Sequence, residues 1–460
     1  MCDSTAPPRR RNSMDDGAPR RRSSINSMDD GAARPAKRPR RGSMEQPTKL
    51  RVGFVCGKED GDLVAAPGLP EQYHCAPEPP AQPKKGAPPE CHSDLALWWW
   101  IKTRYPETIE CDLLRGPDDV TAARLERNDV NLLLGWDAVS AHLEEHDGTG
   151  RFAAGHGDAK AAILRDPACR VFPPGELQDL GNAKGAYVAA IRAAGLPTAP
   201  TAVYECEGGD AEAGAAFAAD AASARGWKKF VAKPSPSSWS RGVDAFQTKA
   251  VASRPARLEA YFQETAFNPP GAAKQILVQR HLAGLANLPE TRCFLIEGEF
   301  QYAVANSTHR RGAKFELTSC PESSSSRDLP AKYWRPHAAL AKRVVEEVLP
   351  PLKTFAGAPM PGPGYAWPVR VDVGAHAAGD LDGGCADDAP ASRKRERAYF
   401  VNEIELVPTL YLDEKFGHEQ DYLARYARSL VKTAFEACGR TAPAPDGAPD
   451  DENSLKADNS

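Results

Sequence analysis

The sequence predicts a protein of α/β and α+β class: a small α/β domain with parallel strands, then a longer region mixing strands and helices, between two disordered ends. Three observations carry this. Between residues 50 and 135 strand and helix patterns alternate, the arrangement that builds a parallel sheet. Beyond residue 200, seven β-branched or aromatic runs are interspersed with four helical ones. Residues 1–48 hold almost no large apolar side chains and cannot bury a core, and the tail from 441 reads the same way. At 460 residues the chain has room for two or three domains. We divide it into a leader (1–48), an α/β domain (49–180), a larger region (181–440) and a tail (441–460).

The elements follow in order. Arg51-Val-Gly-Phe-Val-Cys-Gly57 is a buried first strand ending in glycine, and the Pro/Ala-rich residues 65–90 form an inserted loop. Residues 94–105 form a helix whose Trp98, Trp99 and Trp100 cannot share one face, so some pack in the core and one covers a neighbouring element. A strand at 110–114, a helix near 118–127 and a strand at 130–135 complete the domain. A helix containing Asn182 and Lys184 closes at Gly195, with Pro197 and Pro200 barring its continuation. Strands are expected at 201–205, 229–233, 276–280, 291–297, 299–305, 368–373 and 398–406, and helices at 210–225, 255–264, 337–349 and 418–437. Residues 306–330 and 374–397 read as insertions.

Composition excludes several classes. Hydrophobic content of 41% and charge of 26% are ordinary for a soluble chain. No apolar run approaches the ~20 residues of a membrane span, and the N-terminus lacks the apolar stretch of a secretory signal. The 11 cysteines are scattered without C-x-x-C, which favours a reduced, cytoplasmic setting over a disulfide framework. His74-Cys75 and Cys91-His92 offer four zinc ligands, but the spacing fits structural zinc sites poorly, and we read a loop with incidental ligands.

The leader holds eleven Lys/Arg against six Asp/Glu, ahead of an acidic body. It repeats Asn-Ser-Met-Asp-Asp-Gly-Ala at 12 and 26, and places Arg-Arg-x-Ser before an apolar residue three times, ending at Ser13, Ser24 and Ser43. These look like basophilic-kinase sites, and phosphorylation adds nearly −2 at each, enough to reverse the charge of the leader. Residues 35–41 resemble a basic nuclear-localisation patch. The leader is short, acid-containing and without a recognised nucleic-acid motif, so nucleic acid is not an expected partner. No motif specifies an oligomeric state.

The chemistry gathers in the second half. Tyr399-Phe-Val-Asn-Glu-Ile-Glu-Leu-Val-Pro408 reads as a strand, so Glu403 and Glu405 point the same way. Two like charges side by side repel unless a cation lies between them, and such oxygen-rich sites suit Mg²⁺. Asp372, inside the apolar strand Val369-Arg-Val-Asp-Val-Gly374, requires a partner or a metal. Lys233 ends a strand and is followed by Pro234-Ser-Pro-Ser-Ser-Trp-Ser-Arg-Gly242, a loop able to meet phosphates with one ammonium and several backbone N–H groups. It is neither a Walker A motif nor a Rossmann fingerprint, and alone it is also what a serine-rich surface loop looks like. Glu290 and Arg292 start a hairpin with a Glu-Gly turn, where a surface pair is the plainer alternative.

The order of these pieces is more informative than any one of them: Asn-x-Lys helix, Lys-Pro-Ser loop, Gln strand, Glu-x-Arg hairpin, Asp strand, Glu-x-Glu strand. In that order residues 180–437 resemble the ATP-grasp superfamily, particularly its glutathione-synthetase-like and ribosomal-protein-modifying ligase branches. The resemblance implies an ATP-grasp fold of two α+β subdomains, 181–275 and 276–440, preceded by the smaller domain, with ATP between the two. It implies that Lys184 and Lys233 contact the ATP phosphates and that the loop carrying Ser235, Ser237, Ser238 and Gly242 closes over them. Gln279 and Leu282 fall at the adenine, Glu290 at the ribose and Arg292 near an acyl phosphate. Asp372, Glu403 and Glu405 match the ligands of two Mg²⁺ ions, and Pro408 the proline after them. The implied activity joins a small-molecule or peptide carboxylate to an amine or thiol through an acyl phosphate. The segments 306–328 and 409–412 are expected to face the substrate, with His309, Arg310 and Arg311 available for an anionic group.

Three departures stand out. Glu405 occupies a position where the family uses asparagine, the stretch between Asp372 and Glu403 is long, and Trp239 sits in the phosphate loop. Alternatives from the same resemblance are an inositol-phosphate kinase, a tubulin-ligase-like modifier of protein tails and an ATP-binding regulator without activity.

Overall fold

The computed structural model describes residues 49–57, 63–75, 89–115, 117–135, 156–235, 242–267, 273–283, 290–307, 316–319, 331–360, 367–383, 390–407, 410 and 419–444. The leader with its repeats, Ser13, Ser24, Ser43 and the 35–41 patch lies outside these residues, as do Ser237, Ser238, Trp239, His309, Arg310, Arg311 and Pro408.

The first sheet is parallel. Strand β1 (Leu50–Cys56) precedes a two-stranded antiparallel ladder of β2 (Leu63–Ala65) and β3 (Glu90–His92), which closes the base of the expected inserted loop. Helix α1 (Ser93–Arg104), β4 (Ile109–Arg115), α2 (Ala122–Leu125), β5 (Val130–Leu133), α3 (His156–Arg165) and β6 (Val171–Phe172) follow. The order β4-β1-β5-β6 puts the most apolar strand inside, as burial on both faces requires. Strand β6 has two residues, too few to leave a pattern in the sequence. Of the three tryptophans, Trp98 is buried edge-on against Tyr73, Trp99 donates its indole N–H to the Pro67 carbonyl, and Trp100 packs on Tyr105. His74 is hydrogen-bonded to the Leu69 carbonyl through Nε2, and no metal-type cluster forms around it among the described residues. No disulfide joins the described cysteines.

Two helices link the sheets. Helix α4 (Gly175–Asn182) ends at Ala183, and α5 (Lys184–Ala193) begins one residue later, so the expected single helix is two. Helix α5 stops where the sequence places its stop. Gly195 has φ +69, its N–H donates to the Arg192 carbonyl, and the Leu196 N–H donates to Ile191, a Schellman closure.

The second sheet is antiparallel. It contains β7 (Thr201–Glu205), β8 (Lys229–Ser235), β9 (Asp244–Gln247) and β10 (Gln275–Arg280), in the order β7-β10-β8-β9. Helices α6 (Ala211–Ala224), α7 (Thr248–Ser253) and α8 (Ala256–Phe262) share a separate apolar core with it. Strand β8 runs two residues past its expected end, through Pro234. The β9 pairing stops at Ala232, so the missing N–H of proline costs no ladder bond.

The third sheet, order β13-β12-β11-β14-β15, is also antiparallel. Its strands are β11 (Glu290–Ile296), β12 (Glu299–Ser307), β13 (Glu316–Ser319), β14 (Val369–Ala377) and β15 (Arg397–Glu405), joined with helices α9 (Ala331–Glu347), α10 (Ala391–Arg395) and α11 (Glu419–Ala437). The β11–β12 turn is Glu297-Gly298 with φ of 55 and 77, a two-residue turn in which both central residues are left-handed. The expected 374–397 insertion begins later, because β14 continues to Ala377 and pairs with β15 from Arg397. Val369, Val371 and Val373 join the large core that includes α9 residues. No helix among the described residues is long and apolar enough to cross a membrane.

Candidate active site

The charged residues line one face of the third sheet, opposite the buried valines of β14. Register places them. Arg292 on β11 pairs with Asp372 on β14, which pairs with Glu403 on β15; Arg370 pairs with Glu405. Residues two apart share a face, so Arg370, Asp372, Glu403 and Glu405 lie together. Strand β15 also carries a bulge. Asp372 faces Glu403 and Val373 faces Val401, leaving Asn402 without a partner position. A bulge reverses the alternation of the strand at that point. Tyr399, in contact with the α9 histidine His337, and Phe400, in a small cluster with Ala199, Leu282 and Leu381, therefore occupy opposite faces upstream of it.

Two lysines complete the group from other elements. Lys184 at the start of α5 donates to Glu403. Lys233 on β8 donates to Asn402 Oδ1 at 3.2 Å, and Asn402 Nδ2 donates to Glu290 Oε2 at 2.6 Å. Arg370 donates through Nε and Nη2 to both oxygens of Asp372 at 2.8 and 2.9 Å, and Nη2 also reaches Glu405 Oε1 at 2.5 Å. Arg292 Nε lies 3.9 Å from Asp372 Oδ2. Four carboxylates thus stand among four cations drawn from α5, β8, β11, β14 and β15.

The surroundings set the charge states. Burial raises Glu403, but Lys184, Arg370 and Lys233 outweigh it and hold this carboxyl at about 2. Burial pushes Glu405 up to about 7, opposed by Arg370 and helped by Glu403 and Asp372. Glu290 also rises to about 7, through burial and Asp372, against Arg292. Burial lowers Lys233, with Lys184 adding to the effect and Glu403 opposing it. The Tyr187 hydroxyl, buried beside these carboxylates, is driven upward by burial and then by their charge.

Carboxylate oxygens of Asp372, Glu403 and Glu405 lie within 4.8 Å of one another, the only such group of three among the described residues. Hard oxygen donors are the kind that suit Mg²⁺, and here they also accept from Arg370 and Lys184.

The structure brings together Lys184, Lys233, Glu290, Arg292, Asp372, Glu403 and Glu405. The other described candidates have partners of their own. Ser235 is buried and its Oγ accepts the backbone N–H of Lys184, tying β8 to the start of α5. Gln279 donates its amide to Thr201 Oγ1 at 3.0 Å, and Leu282 packs with Ala199, Leu381 and Phe400. Gly242 has φ +67, and its carbonyl accepts from the Tyr261 hydroxyl. Sequence reasoning missed three members. Arg370 carried a signal, its i, i+2 spacing from Asp372 in an apolar strand. Asn402 is brought to this face by a bulge that no period reveals, and Tyr187 reads as an ordinary helix core residue.

No protein-family model matches the chain, and no curated protein is significantly similar in sequence. Solved structures are similar to it. A D-cycloserine synthetase is 18% identical, covering 74% of this chain and 94% of its own, with a TM-score of 0.46. A D-alanine–D-alanine ligase from Bacillus anthracis is 12% identical over 85% and 97%, TM-score 0.42. A RimK domain ATP-grasp protein from Sphaerobacter thermophilus is 15% identical over 73% and 94%, TM-score 0.41.

Proposed function

We propose that the chain is an Mg²⁺- and ATP-dependent ligase of ATP-grasp type, which activates a carboxylate as an acyl phosphate and joins it to an amine or thiol. The observation that supports this best is the convergence of Lys184, Lys233, Glu290, Arg292, Asp372, Glu403 and Glu405, from five separate elements, on one group that Arg370 brings to four cations and four carboxylates. Residues 181–275 and 276–440 are then the two halves that enclose the nucleotide.

Asp372, Glu403 and Glu405 would hold Mg²⁺, which when bound neutralises charge on the transferring phosphoryl group. Lys184 and Lys233 hold the triphosphate by their ammonium groups, and Glu290 orients the ribose hydroxyls. A substrate carboxylate oxygen attacks the γ-phosphorus, the bond to the β-phosphate oxygen breaks, and ADP leaves. The amine or thiol then attacks the acyl carbon, the C–O bond to phosphate breaks, and the nucleophile loses its proton. Arg292 offsets the negative charge that builds on the transferring group, and such fixed charges act strongly in a site shielded from water.

Purified full-length protein, screened over amino acids, short peptides and inositol phosphates, tests this. A ligase releases ADP and phosphate together, whereas an inositol-phosphate kinase releases ADP and leaves the phosphate on its product. Glu403→Ala should abolish turnover while the fold persists. A well-folded Glu403→Ala protein with wild-type turnover would sink the metal assignment.

A further inference from the structure

We propose that Asn402 is a positioning residue, a neutral spacer that keeps Lys233 and Glu290 from pairing with each other and so holds both charges ready for a nucleotide. The inference rests on the nucleotide-site reading above. A half-buried ammonium and a half-buried carboxylate attract each other, and left to themselves they close into an ion pair. Here they do not meet. Lys233 Nζ reaches Asn402 Oδ1 at 3.2 Å, and Glu290 Oε2 is reached by Asn402 Nδ2 at 2.6 Å. A side-chain amide suits this position, since it accepts from an ammonium, which only donates, and donates to a carboxylate, which only accepts. Aspartate would pair with Lys233 and repel Glu290, and an apolar residue would let the two collapse together. The bulge in β15 puts Asn402 between them.

The test is binding of the Mg²⁺ complex of a fluorescent ADP analogue, with Tm recorded in parallel. Wild type binds. Asn402→Ala binds at least roughly tenfold more weakly, the scale of hydrogen bonds to charged groups, yet melts at or above the wild-type Tm because Lys233 and Glu290 now pair. Asn402→Asp, the same size and shape, shows the same loss. Either single variant, folded and binding like wild type, overturns the proposal. So does a Tm that falls in step with affinity. A wild-type protein that binds no nucleotide instead removes the nucleotide-site reading, and this inference with it.

Discussion

Arg370 answers the crowding of carboxylates around Glu405. An extra carboxylate beside Asp372 and Glu403 is a repulsive arrangement until a cation is placed among them, and Arg370, only 4% exposed, supplies one that cannot leave. Removing one partner of a buried ion pair leaves the other charge stranded, at a cost of about 3–5 kcal/mol. Arg370→Leu is therefore expected to lose stability on that scale, read as a shift of the urea midpoint without a change in slope. The metal-type carboxylates were legible in the sequence because strand alternation is a rule of period two, and Glu403 and Glu405 obey it. Arg370 obeys the same rule, but an arginine in a valine strand gives no hint of which carboxylate it faces. That depends on a register set by two other strands.

Most elements are legible, and the exceptions have local causes. The apolar runs of β1 and β5 and the Gly195 stop of α5 announce themselves. The π-helical turn at Gln263–Phe267 continues a helical pattern with a different hydrogen-bond spacing, which composition does not encode. Helix α9 makes its own prediction. His337 is buried against Tyr399, with no hydrogen-bond partner for either ring nitrogen, and burial followed by Arg397 lowers it to about 4. The folded state thus prefers the neutral ring. The stability it contributes is present above the unfolded value near pH ~6.5 and is lost as pH falls through about 4, by roughly 3 kcal/mol in total. His337→Leu should flatten that acid limb of a stability–pH curve. An unchanged limb would assign the acid sensitivity to other groups.

At the scale of the whole molecule, the site belongs to no single element. Lys184 and Glu403 are 219 residues apart, and Lys233 and Asn402 are 169 apart. A ligand that bridges such distant segments binds the folded chain alone. Saturation with Mg·ADP to 100 times its Kd should therefore add about 2.7 kcal/mol to stability. Glu403→Ala should remove the Mg²⁺-dependent part of that gain, measured as the difference in Tm shift with and without the metal. Membership of the site was legible in the sequence only as an order of motifs. Which of those residues actually touch required the fold, and for Ser235, Gln279 and Leu282 the fold directed the side chains to structural contacts.

The bulge at Asn402 makes β15 two half-strands out of phase. Ala398 and Phe400, at even positions, share with Leu282 the face that Glu403 and Glu405, at odd positions, share with the lysines. One strand thereby presents an oily patch and a charged patch side by side on the same surface. A straight strand would have sent one of them to the α9 side. A single inserted residue thus lets nine consecutive amino acids serve as a rigid ruler, greasy at one end and ionic at the other.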